Sequence, residues 1–260
     1  MNVLSSRKSW MLAPIAWALS IVALTVVWAT MEPEALKEAF DGDGYSFFEV
    51  MTVPFFALIV PAVWLCCPFS GSATRKSALC LCVSCIAVMA VAKELDLHLA
   101  LMQFAYPDVV GPDGSVYGLV KPNGEPLGGT PFKMRFLTNG AAPLGAKCIV
   151  FAYFALLFGV FAALLAYYAP RLVKGFFRLH PVAWSVCFLG LSGVMVQICD
   201  RLPAWYRHVT GVSLSHAAVA LCTALEEGGE MMLAAFALLA ILQAHAIYAP
   251  DNPPPEFAKL

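Results

Sequence analysis

Two short segments concentrate ionisable residues within an otherwise apolar chain. Residues 93–98 read KELDLH, and residues 226–230 read EEGGE. Carboxylates and histidine can bind a divalent metal, act as general bases or carry protons inside a membrane. Neither E-x-D-x-H nor E-E-x-x-E matches a metalloprotease signature, and the sequence has no G-x-S-x-G or P-loop motif. These residue types predict a polar site, and they leave open whether the protein is an enzyme.

Helical spacing groups these residues into faces. In a helix, Glu94 and His98 lie one turn apart on the same side, and so do Glu226 and Glu230. A third, smaller group, Asp200 and Arg201, lies at the end of another apolar segment further along the chain. The candidate binding residues are Lys93, Glu94, Asp96, His98, Asp200, Arg201, Glu226, Glu227 and Glu230. Four of them offer the ligand types for a divalent metal cofactor: Glu94, His98, Glu226 and Glu230.

The composition of the chain is typical of an integral membrane protein. Of its 260 residues, 60% are hydrophobic and 13% are charged, whereas soluble domains carry about 25% charged residues. The net charge is −1 and there is no Lys/Arg-rich arm, which argues against nucleic acid as a partner. The composition therefore predicts one all-α membrane helix bundle, residues 1–260, whose main partner is the lipid bilayer.

Six segments are predicted to span the membrane, which takes about 20 predominantly apolar residues. The predicted spans are 10–30, 50–67, 78–98, 148–169, 182–200 and 217–248. The third span has only 15 uncharged residues, from Ala78 to Ala92, or about 22 Å against a hydrocarbon core of about 30 Å. A crossing helix there must continue through His98, which places the 93–98 segment at the edge of the hydrocarbon.

The distribution of basic residues predicts the orientation of the bundle. The short loops 70–77 and 171–181 carry Arg75, Lys76, Arg171, Lys174 and Arg178. Short loops rich in Lys and Arg face the cytoplasm. We therefore expect both termini in the cytoplasm of a plasma membrane, with the bacterial inner membrane as the favoured location. All candidate site residues then lie at the same outer level.

The largest outer segment, about 103–146, is expected to form a small structure of its own. The tetrapeptides GPDG at 111–114 and KPNG at 121–124 are turn signals, and residues 115–120 between them predict a strand of a β-hairpin. Thr130 as N-cap, Pro131 at the first helical position and a stop at Asn139 predict a short helix on the outer membrane surface.

These residues are compatible with three functions. We favour an outer-facing polar site that binds or transports a cation, a proton or a small polar substrate. An outer-leaflet enzyme, acting on a polar or lipid substrate through a carboxylate base or a metal, is the alternative. A non-catalytic assembly or scaffold protein held by salt bridges is the third hypothesis. Locally, Thr223-Ala-Leu-Glu226 also resembles a capping box that would start a helix and so explain the first glutamates.

Carboxylates that converge around an open cavity favour the first two hypotheses. Carboxylates matched one-to-one with Lys or Arg in a closed bundle favour the scaffold hypothesis.

Overall fold

The computed structural model describes residues 3–41, 46–67, 73–111, 114–117, 119–120, 130–132 and 134–248. Two 3-10 turns, Val3–Ser5 and Arg7–Met11, precede the α-helices. The helices are α1 Leu12–Thr30, α2 Pro33–Asp41, α3 Phe47–Cys66, α4 Ala73–Glu94, α5 Leu97–Ala105, α6 Met134–Thr138, α7 Leu144–Phe177, α8 Pro181–Thr210 and α9 His216–Tyr248. The all-α class predicted from the sequence is confirmed.

Among the residues that the structure describes, five stretches of helix are long and apolar enough to cross a membrane. They are Lys8–Thr30, which joins the second 3-10 turn to α1, and the helices α4, α7, α8 and α9. Large apolar side chains stand on their outer surfaces, such as Leu19 on α1 and Phe158 on α7. Lipid chains solvate such a surface, whereas water would not. The fold fits a helical membrane protein. The second predicted span coincides with α3, whose apolar part, Val50–Cys66, is shorter than the other five.

The long helix expected through His98 is interrupted in the structure. α4 ends at Glu94, and Asp96 adopts the left-handed conformation with φ 50° before α5 begins at Leu97. Asp is one of the few residues besides glycine that visits this conformation readily. The Asp96 carbonyl accepts the N–H groups of Leu99 and Ala100, so it starts the next helix. The chain therefore changes direction at Asp96.

Other helices run further than hydropathy predicts. α7 continues to Phe177 and α8 to Thr210, past their apolar segments. Hydropathy marks the apolar part of a helix, but backbone hydrogen bonding continues into polar surroundings.

α9 is the central helix and packs against α1, α2, α3 and α8. Its Gly228–Gly229 pair allows this close packing. A Cβ on Gly228 would lie 2.6 Å from Leu24 of α1, and one on Gly229 would lie 2.6 Å from Val196 of α8. Small residues commonly let membrane helices approach each other. Because α9 begins at His216 and runs unbroken, the EEGGE segment lies inside a helix, and the capping explanation is wrong.

The segment after α4 folds around a small core of its own. Met102 of α5, Phe136 of α6 and Val150 of α7 are fully buried in this core. Val110 and Val116 form an isolated antiparallel bridge at the expected position of the hairpin, with Gly114 at φ 70° in the turn. The turn predicted at 121–124 lies outside the described residues. We call the described residues from Leu97 to Pro143 the outer region, after the side of the membrane that the sequence predicts for them.

A buried polar network ties the opposite end of the bundle together. The Gln243 side chain accepts a hydrogen bond from Ser185 Oγ at 2.7 Å and donates to the Ser9 carbonyl at 3.0 Å. His180, in the turn between α7 and α8, lies 2.9 Å from the Tyr248 hydroxyl. Burial lowers the pKa of His180 to about 4. This network joins the N-terminal turns to α8 and α9.

Candidate functional site

Lys93 and three glutamates meet where the end of α4 approaches α9. Lys93 Nζ donates to the two carboxylate oxygens of Glu230 at 2.7 and 2.6 Å, and to Glu94 Oε1 at 3.0 Å. One oxygen from each of Glu94, Glu227 and Glu230 lies within 4.8 Å of the other two. We refer to Lys93, Glu94, Glu227 and Glu230 as the charge cluster.

The glutamate side chains of the charge cluster are more buried than the side chain of Lys93. The side chain of Glu94 is 3% exposed and that of Glu230 is 12% exposed, while Lys93 is 51% exposed. The lysine therefore reaches in from a solvated or interfacial surface to carboxylates that the helices enclose. The two contacts to Glu230, at 2.6 and 2.7 Å, are short, and the contact to Glu94, at 3.0 Å, is an ordinary hydrogen-bond distance.

The charges of the cluster do not balance. If all four groups are ionised, three negative charges face one positive charge. At an effective dielectric constant of about 20, two carboxylates about 4.8 Å apart repel each other by roughly 3.5 kcal/mol. Lys93 has two glutamate partners among the described residues, Glu94 and Glu230, and Glu227 adds a third carboxylate. The geometry leaves room for further positive charge.

The helical phase of α9 decides which of its glutamates join the cluster. Glu227 and Glu230, three residues apart, face α4. Glu226 instead interacts electrostatically with the thiols of Cys199 on α8 and Cys222 on α9. The sequence predicts that Glu226 and Glu230 share a face, because they are i and i+4 neighbours in a helix. Glu227 and Glu230 are i and i+3 neighbours, which also share a face. The tight packing of Gly228 and Gly229 against α1 and α8 sets the rotation that brings Glu227 to α4.

His98 lies near the charge cluster among aromatic side chains. Its Nδ1 is 3.3 Å from the carbonyl of Ala92, and its ring centroid lies 4.7 Å from Phe132 and 5.9 Å from Tyr153. Burial lowers the pKa of His98, so the neutral form of the ring is favoured. Asp96 is exposed at the break between α4 and α5.

Asp200 and Arg201 pair with each other away from the charge cluster. Arg201 Nε lies 3.5 Å from Asp200 Oδ2, and their side chains are 59% and 49% exposed, respectively. Such exposed pairs contribute little to stability. The structure thus brings four of the nine candidates together in the charge cluster, and the other five, Asp96, His98, Asp200, Arg201 and Glu226, lie outside it.

The grouped ligands are all carboxylate oxygens. Among the described residues, the group of three metal-capable side chains within 4.8 Å consists of Glu94, Glu227 and Glu230. The mixed set of Glu94, His98, Glu226 and Glu230 expected from the sequence is not assembled there. Carboxylates favour protons and hard cations such as Mg²⁺, Ca²⁺ or Mn²⁺, whereas zinc sites more often include nitrogen or sulfur ligands.

No family model, curated protein or solved structure matches this chain. The argument about function therefore starts from the chemistry of the charge cluster and its place in the bundle.

Proposed function

We propose that the chain is a multi-pass plasma-membrane protein of the bacterial inner membrane, with six crossings and both termini in the cytoplasm. α3 supplies the sixth crossing, because its 20 residues span about 30 Å, the thickness of the hydrocarbon core. It packs against α4 and α9 as a crossing helix would. The basic residues at the start of α4 and the end of α7 support the orientation.

In this orientation the charge cluster faces outward, and we propose that it binds a cation or a proton for transport. The observation that carries this proposal is the excess of carboxylates: three lie together at the end of a crossing helix, and the one ammonium beside them contacts two of the three. Charged groups at membrane depth are costly, usually paired, and concentrated along ion and proton pathways. A small polar substrate with a positive charge would use the same carboxylates.

Lys93 acts in this proposal as the resident countercharge. Its ammonium occupies Glu230 and Glu94 while its stem stays half exposed. When a proton or cation neutralises Glu230, the two contacts from Lys93 weaken, and the ammonium is free to turn toward solvent. The bound proton or cation then replaces the Lys93 ammonium beside the carboxylates, so the net charge of the buried site stays nearly constant.

Two alternatives have less support from the geometry. A scaffold held by salt bridges would match each carboxylate with its own Lys or Arg, and among the described residues the cluster has three carboxylates for one lysine. A carboxylate-and-histidine metal enzyme would need His98 among the carboxylates, but the group of metal-capable side chains found among the described residues is Glu94, Glu227 and Glu230.

Flux measurements in proteoliposomes test the transport proposal. The purified protein is reconstituted with a pH-sensitive dye inside to report proton flux, or with a cation-sensitive dye to report cation flux, and gradients of protons or of K⁺, Na⁺, Mg²⁺, Ca²⁺ or Mn²⁺ are imposed. We expect a gradient-driven flux that Glu227→Gln abolishes. Asp200→Asn, which removes an exposed carboxylate away from the cluster, should retain it. A flux that is absent for protons and all five cations, or that Glu227→Gln leaves intact, would contradict the proposal.

A further inference from the structure

α5 exposes a continuous apolar stripe. Leu97, Leu101 and Phe104 are 53%, 55% and 87% exposed, and their spacing of four and three residues places them on one face. α5 contains no Asp, Glu, Lys or Arg between Leu97 and Ala105. A helix that faces water carries polar residues on that side. The stripe is therefore suited to an apolar environment.

The opposite face of α5 is fixed within the protein. Met102 is fully buried in the core of the outer region with Val110 and Phe136. His98 packs against Phe132 and Tyr153. Because these contacts hold the buried face in place, the apolar stripe cannot turn inward without breaking the core.

The stripe lies beside two helices that are apolar enough to cross a membrane, α4 and α7. α5 begins just after α4 ends, and it packs against α7. Phe151, on the part of α7 nearest the outer region, is 66% exposed. α5 itself has nine residues, or about 13 Å, which is too short to cross the hydrocarbon core. The left-handed Asp96 redirects the chain between α4 and α5.

From the exposure of this stripe and its position beside two apolar helices, we infer that α5 is an interfacial helix whose Leu97, Leu101 and Phe104 insert among lipid acyl chains. Short apolar faces of this kind bury in the boundary between headgroups and acyl chains. α5 thereby seats the outer region on the bilayer beside the charge cluster. The sequence also predicts a short surface helix near Thr130–Asn139, where α6 buries Phe136 in the core of the outer region. The lipid contact is inferred from the exposed apolar stripe of α5. Its assignment to the outer leaflet rests on the proposed orientation.

Site-specific photocrosslinking in native membranes tests this inference. Phe104→p-benzoyl-L-phenylalanine keeps the shape of the side chain, and Leu101→p-benzoyl-L-phenylalanine samples the next turn of the stripe. His208→p-benzoyl-L-phenylalanine is the control, because His208 is exposed on α8, about 12 Å along the helix beyond Asp200. After irradiation of the full-length protein, mass spectrometry identifies adducts on each variant.

We expect phospholipid adducts from positions 101 and 104, at least fivefold more abundant than from position 208. Crosslinks to a second copy of the chain or to another protein would overturn the inference, because the stripe would then be covered by protein. It would also fail if positions 101 and 104 gave no lipid adducts, or if position 208 gave as many. None of these outcomes depends on ion binding, so the inference and the transport proposal can fail separately.

Discussion

Neutralising Glu227 and neutralising Glu230 should have opposite effects on stability. Both substitutions to Gln keep the size of the side chain and remove one negative charge. Glu230 makes two short contacts with Lys93, so Glu230→Gln removes the main partner of a cation. Glu227 contributes its charge to the crowded carboxylates, so Glu227→Gln mainly relieves repulsion.

The magnitudes follow from burial and distance. Removing one partner of a fully buried ion pair costs about 3–5 kcal/mol. Lys93 is half exposed and keeps Glu94, so we expect Glu230→Gln to cost about 1–2 kcal/mol, which lies below that range because of solvent screening. Glu227→Gln removes repulsion of roughly 3.5 kcal/mol per ionised neighbour. The lost attraction to Lys93 offsets part of this repulsion, and a proton held by the cluster would relieve more of it, so we expect stability to stay unchanged or to rise.

Thermal unfolding in detergent at pH 8 measures both effects. A change of 1–2 kcal/mol corresponds to roughly 2–8 °C in Tm for a chain of this size. We expect Tm to fall in Glu230→Gln, to stay or rise in Glu227→Gln, and to be unaffected in the exposed control Asp200→Asn. If Glu227→Gln lowered Tm as much as Glu230→Gln, Glu227 would be a paired structural carboxylate, and the argument from excess charge would be refuted.

Three further predictions concern the rest of the molecule. Burial lowers the pKa of His180 from 6.5 to about 4, so between these values the unfolded chain binds a proton that the folded chain excludes. Stability should fall by up to about 3 kcal/mol as pH drops through this window, and His180→Gln should flatten the dependence of Tm on pH. Gly229→Ala should cost about 1–3 kcal/mol, because its Cβ would lie 2.6 Å from a methyl group of α8. Gly190→Ala is the control, since nothing lies within 4 Å of its Cβ; equal Tm values for the two variants would contradict the close packing. Reporter fusions after Lys174 should read cytoplasmic and those after Tyr206 external, and the reverse pattern would overturn the orientation.

The sequence predicts the helical class well because apolar length is a local property. Runs such as residues 148–169 need no knowledge of their neighbours to be identified as long helices. The approach of Glu94 to Glu230 also follows from local reasoning, since a short third span and an interrupted sixth span place acids at one level. These are features that each segment determines by itself.

The details of the candidate site depend on contacts between segments. Glu227, rather than the predicted Glu226, lies beside α4. The rotation of α9 that places it there also packs Gly228 against α1 and Gly229 against α8, and no single segment encodes that rotation. The break at Asp96 separates His98 from Glu94, although residues 93–98 are equally compatible with a continuous helix. Hydrophobic periodicity cannot report a single residue in the left-handed conformation.

Equilibrium ligand binding to the charge cluster is the most direct test of its proposed role. Isothermal titration of the protein in lipid nanodiscs with K⁺, Na⁺, Mg²⁺, Ca²⁺ or Mn²⁺, in two buffers of different ionisation enthalpy, reports cation binding and the protons exchanged with it. We predict saturable binding of at least one cation, or a cation-dependent release of protons, that Glu227→Gln eliminates and Asp200→Asn preserves. Absence of both signals in the unaltered protein, or signals that survive Glu227→Gln unchanged, would contradict a cation or proton site at Glu94, Glu227 and Glu230.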